Sequence, residues 1–195
     1  MKHINKDSAL DMFNNFSDIS GWKNHSLLVA NAACSIAKAC DLDDEKAYVL
    51  GLLHDVGRSV GIVQASHIIE GYKIMKDIDM SVARICLTHT FQYKDIDAIY
   101  DSWDCSCDDK NFVKTYLEKT EYNDWDLLIQ FCDSVSLVDS YCTVEKKMLN
   151  STKKYGYKPI LEHKFNSIIN LKKYFDALCK TNVYNLLEGE GNFEY

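Results

Sequence analysis

Apolar residues recur at three- and four-residue steps along nearly the whole chain, the period of helices that bury one face. The first clear run covers residues 22–40, where His25, Leu28, Val29, Ala32, Ile36, Ala37 and Cys40 share a stripe. Asp41 or Asp43 can cap the next helix, which turns Ala47, Leu50, Leu53 and His54 inward and stops at Gly57. Ser66 is the expected cap of a third helix carrying His67, Gly71, Ile74 and Met75. Ser81 has the same place before a fourth, with Val82, Ile85, Cys86 and His89. From residue 91 to about 111 the pattern fades into an irregular insert with room for one short helix. It resumes behind Asn123, a natural cap, with Trp125, Leu128, Ile129, Cys132, Val135 and Val138 on one face and Asp133 beside it. Helices over about 143–154 and 164–179, parted by a turn at 156–159, precede a polar tail expected to fray.

With one proline and eight glycines in 195 residues, few breakers interrupt this pattern, so the expected fold is all-α. A hydrophobic content of 47% suffices for one sizeable core, and a single domain is expected. Residues 1–20 form a leading segment, 21–145 the core unit, and 146–195 the helices that complete the same domain.

Charge narrows the partners. A net charge of −7 and a pI near 5.3 give no footprint for the backbone of a long nucleic acid. A small anion stays open, because a bound cation can reverse the local sign inside an acidic protein. The polar start of the chain does not read as a signal peptide, and no stretch approaches the roughly 20 apolar residues of a membrane span. A cytoplasmic protein with no membrane partner is expected. Its eight cysteines are scattered through helical core and are expected to be reduced thiols. The pair Cys105-Ser106-Cys107 lacks the second half of a structural zinc site.

Four of the six histidines ride inward stripes, whereas His3 and His163 sit in polar contexts. Taken singly, each inward histidine is ordinary for a hydrogen-bonded core residue. Together with Asp55 and Asp133 they are harder to bury, since carboxylates in a core must be paired or must coordinate. A divalent cation satisfies the whole set.

His25, then His54-Asp55 within Leu52-Leu53-His54-Asp55-Val56-Gly57, then Asp133 in a later helix form a series that resembles the HD superfamily of metal-dependent phosphohydrolases. His67 in Ser66-His67-Ile68-Ile69-Glu70-Gly71 and His89 in Leu87-Thr88-His89-Thr90 make it similar to the dinuclear branch. That branch includes the bacterial diadenosine tetraphosphate hydrolases. The resemblance covers roughly residues 20–140 and implies an HD-domain helical bundle. It also implies one metal held by His25, His54, Asp55 and Asp133, with Asp55 bridging to a second ion held by His67 and His89. In a mononuclear alternative the last two only line the pocket. The cofactors implied are one or two divalent transition metal ions, with iron, manganese, nickel, cobalt and zinc all suited to imidazole and carboxylate.

The implied reaction is hydrolysis of a phosphoester or phosphoanhydride in a nucleotide or similar small molecule, by metal-activated water. Asp55 and Arg58 are the expected catalytic residues. Arg58 stands where many dinuclear relatives have Lys in a His-Asp-x-Gly-Lys pattern; it can grip two phosphate oxygens or form a structural ion pair. The Gly-Tyr-Pro signature of the cyclic-dinucleotide enzymes is missing, which argues against those substrates. Phe91, Tyr93 and Trp103 can stack on a nucleobase, but core packing is the preferred reading. A non-catalytic metal-containing regulatory or ligand-binding module is the alternative class, and a homodimer is one open assembly state.

Overall fold

The computed structural model describes residues 3–188 and 192–194. Its first helix, α1 (Lys6–Asn15), has no counterpart in the patterning: only Ala9 and Phe13 are buried, one turn apart on an otherwise polar segment. Asn5 caps it, and Phe13 meets the Trp22 ring edge-on at 5.2 Å.

α2 (Trp22–Ala39) and α3 (Asp44–Leu53) form the centre. Small residues on α2, including Ala30 and Ala33, let the two backbones close in. A β-carbon placed on Gly51 of α3 would lie 2.8 Å from the Ala30 Cα, so only glycine fits that crossing. Asp43 caps α3 through the Lys46 amide. Beyond α3 the chain tightens into a short 3-10 helix (Val56–Val60) that contains Gly57.

α4 (Ser66–Met75) and α5 (Met80–Thr88) follow, and both are capped otherwise than expected. Ser66 is itself helical and offers no cap; the Asp104 carboxylate, 38 residues away, takes the Gln64 and Ser66 amides at 2.8 and 2.7 Å. Asp79, not Ser81, caps α5 by accepting from the Ser81 and Val82 amides. The irregular insert lies over a second small core of Ile68, Ile69, Leu87, Phe91, Ile99 and Val113. It ends in α6 (Cys107–Lys119), a helix longer than the weak pattern suggested because only Val113 and Leu117 face inward.

α7 (Asp124–Val135) starts in a reciprocal cap between Asn123 and Asp126. Asp126 is fully buried and receives Arg84 on both oxygens and the Thr88 hydroxyl, which clamps α5 to α7. Val138, expected on the inner face of this helix, lies beyond its end and is exposed.

After β1 (Tyr141–Cys142) come α8 (Val144–Tyr155), α9 (Ile160–Cys179) and α10 (Val183–Glu188). The expected frayed tail is instead packed through α10, where Val183 and Leu187 are buried, and through β2 (Phe193–Glu194), which pairs in parallel with β1. For 189–191 and 195 that expectation lies outside the described residues. The fold is all-α, one domain, with a continuous core reaching from Ala9 to Leu187. None of its described helices is long and apolar enough to cross a membrane.

One expectation about the cysteines is corrected: Cys40 and Cys179 form a disulfide. They close the C-terminal ends of α2 and α9, with Cα atoms 4.8 Å apart, and a separation of 139 residues hides that meeting from the sequence. Cys86, Cys132 and Cys142 are buried and free.

Candidate metal centre

The site is assembled where α3 ends. His54 and Asp55 leave the last turn of α3, and Gly57 lets the 3-10 helix press against α4. A β-carbon on Gly57 would sit 1.9 Å from the His67 carbonyl oxygen, so glycine is required for His67 to stand beside Asp55. His25 comes from the first turn of α2, His89 from the end of α5 and Asp133 from the last turn of α7. All six expected ligand residues converge, drawn from positions up to 108 residues apart.

Each of the four imidazoles uses Nδ1 in the same way. His54 Nδ1 reaches the Gly51 carbonyl at 2.7 Å, His25 Nδ1 that of Leu137 at 3.0 Å, and His89 Nδ1 those of Ile85 and Cys86 at 3.1 Å. His67 Nδ1 bonds the Gln64 carbonyl. Carbonyl oxygens only accept, so every Nδ1 is the donor and every neutral ring keeps its lone pair on Nε2.

Those four Nε2 atoms face carboxylate oxygens. His25 Nε2 lies 3.0 Å from Asp133 Oδ1; His67 and His89 Nε2 lie 3.3 and 3.5 Å from Asp55 Oδ1; His54 Nε2 lies 3.8 Å from Asp55 Oδ2. Lone pair against lone pair is repulsive unless a proton or a metal ion intervenes. Burial pulls the His54 imidazole down to about 4 and His67 to about 3, so neither holds that proton at neutral pH. Burial opposes charge on His89 too, but the nearby Asp55 carboxylate lifts it above its ordinary value. For Asp55 and Asp133 burial favours the neutral acid. It is outweighed by the Arg58 charge at Asp55 and by the His25 bond at Asp133, and both carboxyls stay well below their usual range.

Two atoms make the fit to a metal specific: His54 Nε2 and Asp55 Oδ1 are buried with no hydrogen-bond partner. Two ligand groups, His25–His54–Asp133 and His54–Asp55–His89, each bring their donor atoms within 4.8 Å of one another. The donor chemistry, imidazole nitrogen with carboxylate oxygen and a carbonyl behind each ring, suits a divalent metal ion.

The family model for the HD domain matches residues 22–136, more than half of the chain. The chain belongs to the HD domain family. All six converging side chains fall within that HD match, which starts three residues before His25 and ends three residues after Asp133. α8, α9 and α10 lie beyond it. No curated protein and no solved structure matches this HD protein.

Arg58 is brought to the site, but in a particular way: its Nε donates to Asp55 Oδ2 at 2.7 Å, and a second nitrogen lies 3.9 Å from Asp101 Oδ2. Phe91 is fully buried and stacks with Trp103, so these two pack within the protein, whereas Tyr93, expected in the core, is exposed and stacks on His163.

Other groups at the centre were missed by sequence reasoning. A cavity of about 410 Å³, lined by His25, Asp55, His67, His89 and Asp133 with His54 buried behind them, is also rimmed by Thr90, Asp101, Lys147, Lys154 and Tyr155. Lys147 Nζ donates to the Asp133 and Ser136 carbonyls. The available signal was the i, i+4, i+7, i+8 spacing of Lys147, Ser151, Lys154 and Tyr155, which puts them on one face of α8.

Proposed function

We propose that this HD protein is a metal-dependent phosphohydrolase acting on a nucleotide or similar small phosphorylated molecule. The observation that carries the reading is the set of four Nε2 lone pairs, fixed by Nδ1 donors, aimed at two carboxylates inside a cavity rimmed by cations. His25, His54, Asp55 and Asp133 would hold one ion; Asp55 Oδ1, His67 and His89 suit a second, as in the dinuclear branch. When bound, such ions supply a water acidified toward neutrality and positive charge for phosphoryl oxygens.

The chain's own residues do the rest. Arg58, Lys147 and Lys154 supply cationic donors for the phosphate oxygens that enter the cavity. Burial pushes the Cys86 and Cys132 thiols up, so neither offers a thiolate and no covalent intermediate on cysteine is needed.

The test is a metal-supplemented hydrolysis screen over nucleoside mono- and diphosphates and dinucleoside polyphosphates, with Asp55→Ala as blank. Activity in wild type alone is expected; equal activity in both preparations would refute the assignment. Metal content separates one ion from two: His89→Ala should release about one equivalent in the dinuclear case and none in the mononuclear one.

A non-catalytic ligand-binding module is the second reading, and the Arg58 bond to Asp55 Oδ2 is the observation that favours it. That cation neutralises an oxygen a bridging carboxylate would offer. Under this reading purified protein carries one ion or none and turns over no phosphoester.

A further inference from the structure

α8 and α9 lie outside the family match, yet they close a second space that opens off the metal cavity. This chamber, of about 190 Å³, shares His67, Thr90, Asp101, Asp133, Lys147 and Tyr155 with that cavity. Its far wall is apolar, from Ile99, Phe165 and Ile168, and is flanked by the rings of Tyr100 and Tyr155, stacked at 5.2 Å.

Lys164 of α9 stands in this wall and is only 6% exposed. Its Nζ donates to the Thr90 carbonyl at 2.9 Å and lies 5.7 Å from the Tyr100 ring centre. Among the described residues no carboxylate comes within 4.0 Å of it. An ammonium has three N–H donors, and a buried charge is costly unless it has an anionic partner. A leucine or methionine would fill this helix position without that cost.

Gln92 adds an independent mark. Its amide nitrogen shares its two N–H donors among the His89 and Gln130 carbonyls and Ser134 Oγ, which fixes the orientation of the amide. Its Oε1 is buried with no partner, and the residue lines the same chamber. The space therefore offers a cation with unused donors and an acceptor without a donor. An anionic group complements the first, and a hydroxyl on it or beside it complements the second.

We infer that the chamber is a subsite for a second anionic group of the substrate, held by Lys164 while the hydrolysed phosphate lies at the metal centre. The inference rests on the phosphohydrolase reading and narrows it to small molecules with two anionic groups. The second group is either another phosphate or a carboxylate, and both present the same chemistry to the ammonium. Lys164 is then a specificity determinant, set on α9 and outside the family match.

Calorimetric titration of the metal-loaded protein tests this with three probes: inorganic phosphate, pyrophosphate and phosphonoacetate. Lys164→Met is expected to leave phosphate binding unchanged and to weaken pyrophosphate, phosphonoacetate or both by at least about ten-fold, the effect of losing a charge-assisted hydrogen bond. Loss confined to pyrophosphate identifies a second phosphate; loss confined to phosphonoacetate identifies a carboxylate. Lys164→Arg keeps the charge and should restore most of the affinity. Lys164→Gln serves as the neutral variant if the methionine protein does not fold. Equal weakening of all three probes, or no weakening of any, overturns the subsite alone. Failure of wild type to bind any probe overturns the phosphohydrolase reading with it.

Discussion

Gly57→Ala is the sharpest test of how the centre is built, because two lines of reasoning give opposite signs. Backbone entropy favours alanine: where the native conformation tolerates it, Gly→Ala stabilises by about 0.4–1 kcal/mol. Packing forbids it here. The new methyl would sit 1.9 Å from the His67 carbonyl oxygen and 2.5 Å from the Gly71 nitrogen, against an ordinary contact of 3.4 Å or more. Relief needs a separation of about 1.5 Å between the 3-10 helix and α4, and both obstacles are backbone, which cannot swing aside. Overpacking a core costs about 1–3 kcal/mol even where side chains can yield, so roughly 3 kcal/mol is expected. For a domain of this size that lowers the Tm by roughly 6–12 °C. The same displacement withdraws His67 from its 3.3 Å approach to Asp55 while leaving His25, His54 and Asp133 in place. Thermal unfolding combined with metal counting therefore should show a large drop in Tm and loss of the ion held through His67. An unchanged or raised Tm with full metal content would refute the close-approach argument.

Three further outcomes follow from the same geometry. Arg58→Ala should lower kcat or raise KM in a hydrolysis assay if its guanidinium turns from Asp55 to the substrate; unchanged values for both would remove it from the reaction. Asp126→Ala breaks a buried ion pair and a helix cap at once, and urea unfolding should register a loss of roughly 3 kcal/mol with unchanged m; a loss below about 1 kcal/mol would contradict the clamp. In metal-free protein, His54 and His67 have folded pKa values near 4 and 3 against an ordinary 6.5, so the unfolded chain takes up protons that the folded one does not. Stability present above pH 6.5 should thus fall as the pH drops toward those values, and a urea midpoint that stays level from pH 6.5 to 4.5 would sink the buried-neutral assignment.

The helical architecture was legible because α2, α3, α4, α5 and α7 bury broad stripes, with the inward histidines on or at the ends of the first four and Asp133 on the last. The convergence of these six side chains was legible for the same reason: a polar side chain on an inward face must meet others in the interior. What the pattern hid has physical causes. α1 and α6 bury only two residues each, too few for a stripe. The caps by Asp104 and the disulfide partner Cys179 come from far along the chain, and no local rule reports such meetings. A lysine on an amphipathic helix ordinarily faces solvent, so nothing local marks Lys147 or Lys164. Their inward placement depends on how α8 and α9 fold back over a centre to which they contribute no ligand.

The ring nitrogens at the centre take their bearings mostly from the peptide backbone of their own helices, three or four residues upstream. Such anchors carry no side-chain identity, so substitutions at Gln64 or Ile85 that spare the local backbone leave the imidazoles correctly poised. Mutational drift around the pocket can then retune what it admits without disturbing how its nitrogens point. The vulnerability lies elsewhere: loosening the last turn of α3 or α5 unmoors the ring that depends on it.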